Sequence, residues 1–175
     1  MTDLAVIDVL AALRTRGQEA YLGEPVTVTE HALQAATAAQ AEGRPAPLVV
    51  AALLHDVGWL LHAGPRPHEE RGAEFLALQG FGPQVTEPVR LHVQAKRYLC
   101  TIDPDYRSHL SSASRRTLGR QGGLLDEEAR EGFATHPFSS DALALRRYDD
   151  AAKVPGAPTP ELEHFARLVD LVRGA

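Results

Sequence analysis

The sequence predicts an all-α fold, and three observations carry that prediction. Apolar residues return at helical spacing in one segment after another. Gly and Pro stop signals separate those segments, and no stretch shows the alternation of a half-buried strand. At 175 residues the chain suits one domain and buries roughly two-thirds of its unfolded surface.

Leu4, Ile7, Leu10, Ala11 and Leu13 predict a first helix that ends near Gly17. Tyr21-Leu22-Gly23-Glu24-Pro25 reads as a turn. Thr27 and Glu30 have capping-box spacing, so a second helix starts there, carries His31 in its first turn and ends at Gly43. The third, from about Pro47 to Val57, is apolar on every side, as a central helix must be. A fourth starts near His68 and runs through Phe75, Leu76 and Leu78 until Gly80 and Gly82-Pro83 stop it. The fifth is expected to begin after Thr86, with Pro88 in its first turn, and to run to about Leu99. Ser108 to Leu118 predicts another, closed by Gln121-Gly122-Gly123, and Asp126 caps a seventh that His136-Pro137 breaks. Ser139 or Ser140 starts an eighth through Asp149. Pro155, Pro158 and Pro160 then lead to a final amphipathic helix with Leu162, Phe165, Leu168, Val169 and Val172.

Composition narrows the function. With 44% hydrophobic and 23% charged residues and a net charge of −5, the chain lacks the basic footprint of a nucleic-acid binder. No apolar run is long enough to span a bilayer, so no membrane partner is expected. The amino-terminal residues do not read as a signal peptide, because Asp3 and Asp8 interrupt the apolar positions. Cys100 is the only cysteine, so no intrachain disulfide forms; a cytoplasmic, reducing location is the expectation.

The chemistry centres on Leu53-Leu54-His55-Asp56-Val57-Gly58. A carboxylate buried at the end of an apolar helix survives by pairing, protonation or binding a cation. With an imidazole beside it, a metal ion is the simplest partner for both. His31, His68 and His92 sit on predicted helices with apolar neighbours, and Asp149 or Asp150 is a further candidate ligand. Asp56 has two oxygens and so can bridge two metals, whereas each imidazole binds once. His62, His109, His136 and His164 read as surface residues. Lys96 lies one turn after His92 and Arg146 one turn before Asp149, which sets two cations beside the site for a small anion such as a phosphonate. Ser114 and Thr117 share a helix face and are placed to donate hydroxyl hydrogen bonds to the same anion.

These motifs resemble the HD-domain superfamily of metal-dependent phosphohydrolases and oxygenases. More narrowly, they are similar to the mixed-valence diiron oxygenases related to myo-inositol oxygenase, in the branch that cleaves phosphonates such as 2-amino-1-hydroxyethylphosphonate. The resemblance runs from Tyr21 to Lys153 and includes Tyr21-Leu22-Gly23-Glu24, Glu30-His31-Ala32-Leu33-Gln34, the His55-Asp56 segment, His68-Glu69, His92 to Leu99, Ser111 to Leu118, Gln121-Gly122-Gly123 and Arg146 to Lys153. It implies a single HD-domain helical bundle over residues 1–175. It also implies two Fe ions, as an Fe(II)/Fe(III) pair, and O2 as co-substrate for cleaving the C–P bond of a hydroxyphosphonate to a carboxylic acid and phosphate. One iron would be held by His31, His55, Asp56 and Asp149, the other by Asp56, His68 and His92. Tyr21 would occupy an open iron position until substrate arrives, and Glu24 would meet a substrate ammonium group.

Phosphate-ester hydrolysis by the same ligands is the alternative, but a displaceable tyrosine serves the oxygenase and not the hydrolase. The chain departs from the relatives at one position: where they have histidine or lysine after His-Asp-x-Gly, it has Trp59. Either Trp59 offers its ring to a substrate cation such as a methylated ammonium, or it points away into the core.

Overall fold

The computed structural model describes residues 8–61 and 64–173. These form α1 (Val9–Arg16), α2 (Val28–Ala41), α3 (Ala46–Leu54), α4 (Val57–Leu60), α5 (His68–Leu78) and α6 (Pro83–Ile102). They continue with α7 (Pro104–His109), α8 (Ser112–Arg120), α9 (Glu127–Ala134), α10 (Ser139–Ala151) and α11 (Leu162–Val172). Among the described residues there is no strand beyond the isolated antiparallel bridge between Ala20 and Thr27. Leu4 and Ile7 lie outside the described residues, and α1 is capped by Asp8, whose carboxylate accepts from the Leu10 N–H at 3.0 Å.

α3 is the axis of the bundle. Every residue from Leu48 to Leu54 is buried, and the helix packs against α2, α6, α10 and α11. A helix that is apolar all round has no face to give to water, so its neighbours must wrap it. Truncating one of its leucines to alanine costs about 2–5 kcal/mol. α6, the longest helix, lies against α5, α3 and α10. Its far side meets a smaller apolar cluster of Leu91, Ala95, Leu125, Phe133 and Ala142.

Three boundaries differ from the sequence expectation. The apolar helix predicted from Pro47 to Val57 stops at Leu54 and restarts as α4 at Val57, with Asp56 at φ −102° and ψ 11° between them. An aspartate at such a break ordinarily caps the new helix, yet the Asp56 side chain makes no cap hydrogen bond and is left for other partners. The fifth predicted helix, α6 here, begins at Pro83 and not after Thr86, because proline is tolerated at a first helical position and Gly82 supplies the cap; Pro88 is therefore inside the helix. The single helix expected over Ser108–Leu118 is two, α7 and α8. Asp103 caps the first by accepting from the Tyr106 N–H, and Ser111 caps the second by accepting from the Ser114 N–H.

Two features set the walls of the site. The Thr27–Glu30 capping box is present in both directions and fixes the start of α2. Before it, Leu22 and Gly23 both take positive φ, 47° and 84°, in a tight turn closed by the Glu24 N–H on the Tyr21 carbonyl at 2.7 Å.

Candidate metal centre and substrate pocket

Four imidazoles from four helices converge on Asp56. His31 comes from α2, His55 from the end of α3, His68 from the first position of α5 and His92 from α6; all four are buried, as is Asp56. Each ring is aimed by its Nδ1. His31 Nδ1–H donates to the Ala152 carbonyl at 2.7 Å, His55 to Ala52 at 2.8 Å and His92 to Val89 at 2.6 Å. His68 Nδ1 faces the Glu69 carboxylate at 3.0 Å. Wherever such a ring is neutral with its proton held on Nδ1, its Nε2 turns a lone pair inward.

Those lone pairs face one another. The Nε2 atoms of His31 and His55 are 3.1 Å apart, and those of His68 and His92 are 3.2 Å apart. Asp56 divides its oxygens between the two pairs. Oδ2 is 3.4 Å from His55 and 3.8 Å from His31, while Oδ1 is 3.2 Å from His68 and 3.5 Å from His92. Asp149 adds a carboxylate to the first pair, with Oδ1 3.4 Å from His31 Nε2. Asp56 Oδ1 and Asp149 Oδ1 are buried without a hydrogen-bond partner. Buried lone pairs and orphaned carboxylate oxygens at these separations fit a cation in each half.

The electrostatics agree. Burial drives His31 down to about 4 and lowers His92, so both stay neutral at physiological pH. Burial also opposes charge on His68, but the adjacent Asp56 and Glu69 carboxylates outweigh it and lift the ring to about 9. Asp56 is held well below the usual carboxylate range, because His55, His68 and His92 together overcome its burial. Asp149 is likewise depressed, with Arg146 the largest stabilising neighbour. Two fixed negative charges among imidazoles attract positive charge, whether a proton or a metal ion.

A cavity of about 30 Å³ opens over Asp56, and Tyr21, Trp59, Lys96, Ser114, Arg146 and Asp149 are among its lining residues. Tyr21 stacks on His31, centroids 4.0 Å apart, and its hydroxyl donates to Asp56 Oδ2 at 2.6 Å. Lys96 is buried, with its Nζ 3.0 Å from Thr117 Oγ1, and burial together with nearby Arg146 lowers its ammonium to about 8. Thr117 in turn donates to the Ser114 carbonyl, so it holds Lys96 in place and has no proton left to offer. Ser114 Oγ accepts from Lys153 at 3.3 Å and weakly from Arg146 at 3.4 Å, which leaves its own proton free for a ligand. Trp59 does not point into the core: it is 41% exposed at the cavity mouth and stacks on His68 with centroids 4.3 Å apart. Glu24 already has partners, accepting from Ser111 Oγ at 2.5 Å with Lys153 Nζ at 3.8 Å.

Of the histidines read as surface, His109 and His164 are exposed, His136 is half-buried, and His62 lies outside the described residues. Lys153 and Glu69 lie against these residues yet went unassigned in the sequence. The signal was present, since Lys153 is four residues after Asp149 and Glu69 adjoins His68.

No family model matches the chain. It is 44% identical over 173 aligned residues to a glycine-betaine-forming 1-hydroxy-2-(trimethylamino)ethylphosphonate dioxygenase from Leisingera caerulea, covering 91% of this chain and 88% of that one. The chain belongs to the phosphonate dioxygenase family. A hydroxymethylphosphonate dioxygenase from Gimesia maris is 39% identical, with 96% of this chain and 94% of that one aligned. As a phosphonate dioxygenase the protein is an oxygenase that uses a metal and O2, and the buried histidine–aspartate groups are ones that could hold a metal ion. Among the described residues no helix is long and apolar enough to cross a membrane.

Proposed function

We propose that this chain, as one HD domain, holds two iron ions as an Fe(II)/Fe(III) pair and uses O2 to cleave the C–P bond of a hydroxyphosphonate that carries a quaternary ammonium. The observation that carries the metal reading is Asp56, which gives one oxygen to each of two converging histidine pairs. When bound, the irons supply the redox chemistry that activates dioxygen. The reaction balances as one hydroxyphosphonate dianion and one O2 giving one carboxylate, one hydrogen phosphate dianion and one proton.

The residues around the metals bind, orient and exclude water. Lys96 and Arg146 supply cationic donors for the phosphonate, and the free Ser114 hydroxyl adds a hydrogen bond. The Tyr21 hydroxyl, resting on Asp56, closes the centre until the substrate's own hydroxyl takes that place. Trp59 is the seat for the quaternary ammonium, since a trimethylammonium offers no hydrogen bond and is met best by an aromatic face. Glu24 supplies charge complementarity from a distance while it keeps its bonds to Ser111. The substrate named for the Leisingera relative has this combination of groups.

The test is an oxygen electrode on iron-loaded protein with 1-hydroxy-2-(trimethylamino)ethylphosphonate. Glycine betaine and phosphate should appear in equal amounts with the O2 consumed, and a coupled half-integer electron paramagnetic resonance signal should shift on adding substrate. Phosphate release from phosphate esters with no oxygen uptake would overturn the reading.

A further inference from the structure

Arg146 is buried, yet its guanidinium is held from two sides by groups of unequal purpose. On one side Nη1 donates to Asp149 Oδ2 at 2.6 Å, which leaves Asp149 Oδ1 without a hydrogen bond, facing His31 and 3.7 Å from Lys153 Nζ. On the other side Asp150, the next residue of α10, takes Nη2 through Oδ1 and Nε through Oδ2. Tyr106 of α7 completes that second grip. Its hydroxyl donates to Asp150 Oδ2 at 2.5 Å and accepts from Arg146 Nε at 3.0 Å. The tyrosine is itself anchored, because its backbone N–H is the one that caps on Asp103.

The arrangement divides labour between two adjacent aspartates. Asp149 has an oxygen left for a metal, while both Asp150 oxygens are spent on Arg146 and Tyr106. A guanidinium has five N–H groups in a fixed plane, so fixing the Nε edge fixes where the Nη edge points. That Nη edge faces Asp149 and Ser114 in the cavity.

We propose that Tyr106 and Asp150 are positioning residues: together they orient Arg146 so that one face of its fork presents to the phosphonate. Neither touches the substrate. This rests on the reading of Arg146 as part of the phosphonate clamp.

The test compares the full iron-loaded chain with Tyr106→Phe and Asp150→Asn, using inorganic phosphate as probe in calorimetry and steady-state oxygen uptake as a second readout. Tyr106→Phe should weaken phosphate binding about tenfold, the scale of one hydrogen bond to a charged group. KM for the hydroxyphosphonate should rise by a similar factor while kcat changes less than about twofold, with iron content as in the unmodified chain. Asp150→Asn should do the same, and the double variant should be less than additive because both act on one guanidinium. If Tyr106→Phe fails to fold, Asp150→Asn decides alone. Unchanged phosphate affinity in the folded variants, or a loss of iron that accounts for the loss of binding, would overturn the inference. An unmodified chain that neither binds phosphate nor consumes oxygen would instead bring down the functional reading, and this inference with it.

Discussion

The proposed metal cage and the proposed substrate wall share Asp56 but are built differently. Three cage histidines rest on backbone carbonyls, at Ala152, Ala52 and Val89, and all four sit on helices packed into the central core. The wall is made of side chains that hold one another: Lys96 on Thr117, Glu24 on Ser111, Trp59 on His68. It also draws on the turn at Leu22–Gly23 and on a tryptophan open to solvent. Backbone anchors tie the cage to the integrity of the fold, whereas the wall can change one side chain at a time. On the proposed roles, metal chemistry and substrate choice would thereby be separable in this molecule.

That separation can be broken at the shared residue. Asp56→Ala removes a carboxylate from both halves, so iron content should fall from two equivalents to near zero and oxygen uptake should vanish; elemental analysis and an oxygen electrode check this. Next in size is the backbone contact behind the cage. A Cβ on Gly58 would lie 1.9 Å from the His68 carbonyl oxygen, so Gly58→Ala should cost about 3 kcal/mol by overpacking and lower the iron content, read by denaturant unfolding and metal analysis.

The wall should respond more selectively. Trp59→Ala should raise KM for the trimethylammonium substrate about 5- to 30-fold, the scale of a desolvated cation–π contact, yet leave hydroxymethylphosphonate turnover nearly unchanged. Equal losses on both substrates would show that cage and wall are not separable at this position. Lys96 sharpens the comparison by pH. Its ammonium is held down to about 8, so it is charged below that pH and neutral above it. KM for the phosphonate should therefore rise as pH climbs through 8, and Lys96→Met should have a high KM without that rise. The smallest effect lies outside both regions: Thr27→Ala loses a capping box and should cost about 1 kcal/mol of stability in thermal unfolding, with kcat unchanged.

The cage was more legible in the sequence than the wall, for a physical reason. His55-Asp56 ends an uncharged run, and a buried charge announces its need for a partner; the structure brings His31, His68 and His92 to it. Asp149 and not Asp150 faces His31, a distinction that spacing alone did not draw, because adjacent helical residues differ only in the direction they project. The break of α3 at His55 was hidden because Val57 continues the apolar pattern across it. What escaped notice were the remote partners of wall residues already named: Ser111, which meets Glu24, and Tyr106, which meets Arg146. The expectation that Thr117 donates to the anion missed that its proton goes to the Ser114 carbonyl one turn back.

Gly58 gives position 59 its freedom. The glycine lets α4 lie directly on the first residue of α5, so the spacing between Asp56 and His68 is set by main chain meeting main chain. Whatever side chain follows can rest on the His68 ring, as Trp59 does, without setting that main-chain spacing. A lineage with this frame can exchange the group that greets the far end of a substrate without retuning the metals a few ångströms away. On the proposed roles, Trp59 is then a local change, resting on the His68 ring but outside the main-chain contact that spaces it, by which a new substrate could be recruited to an old reaction.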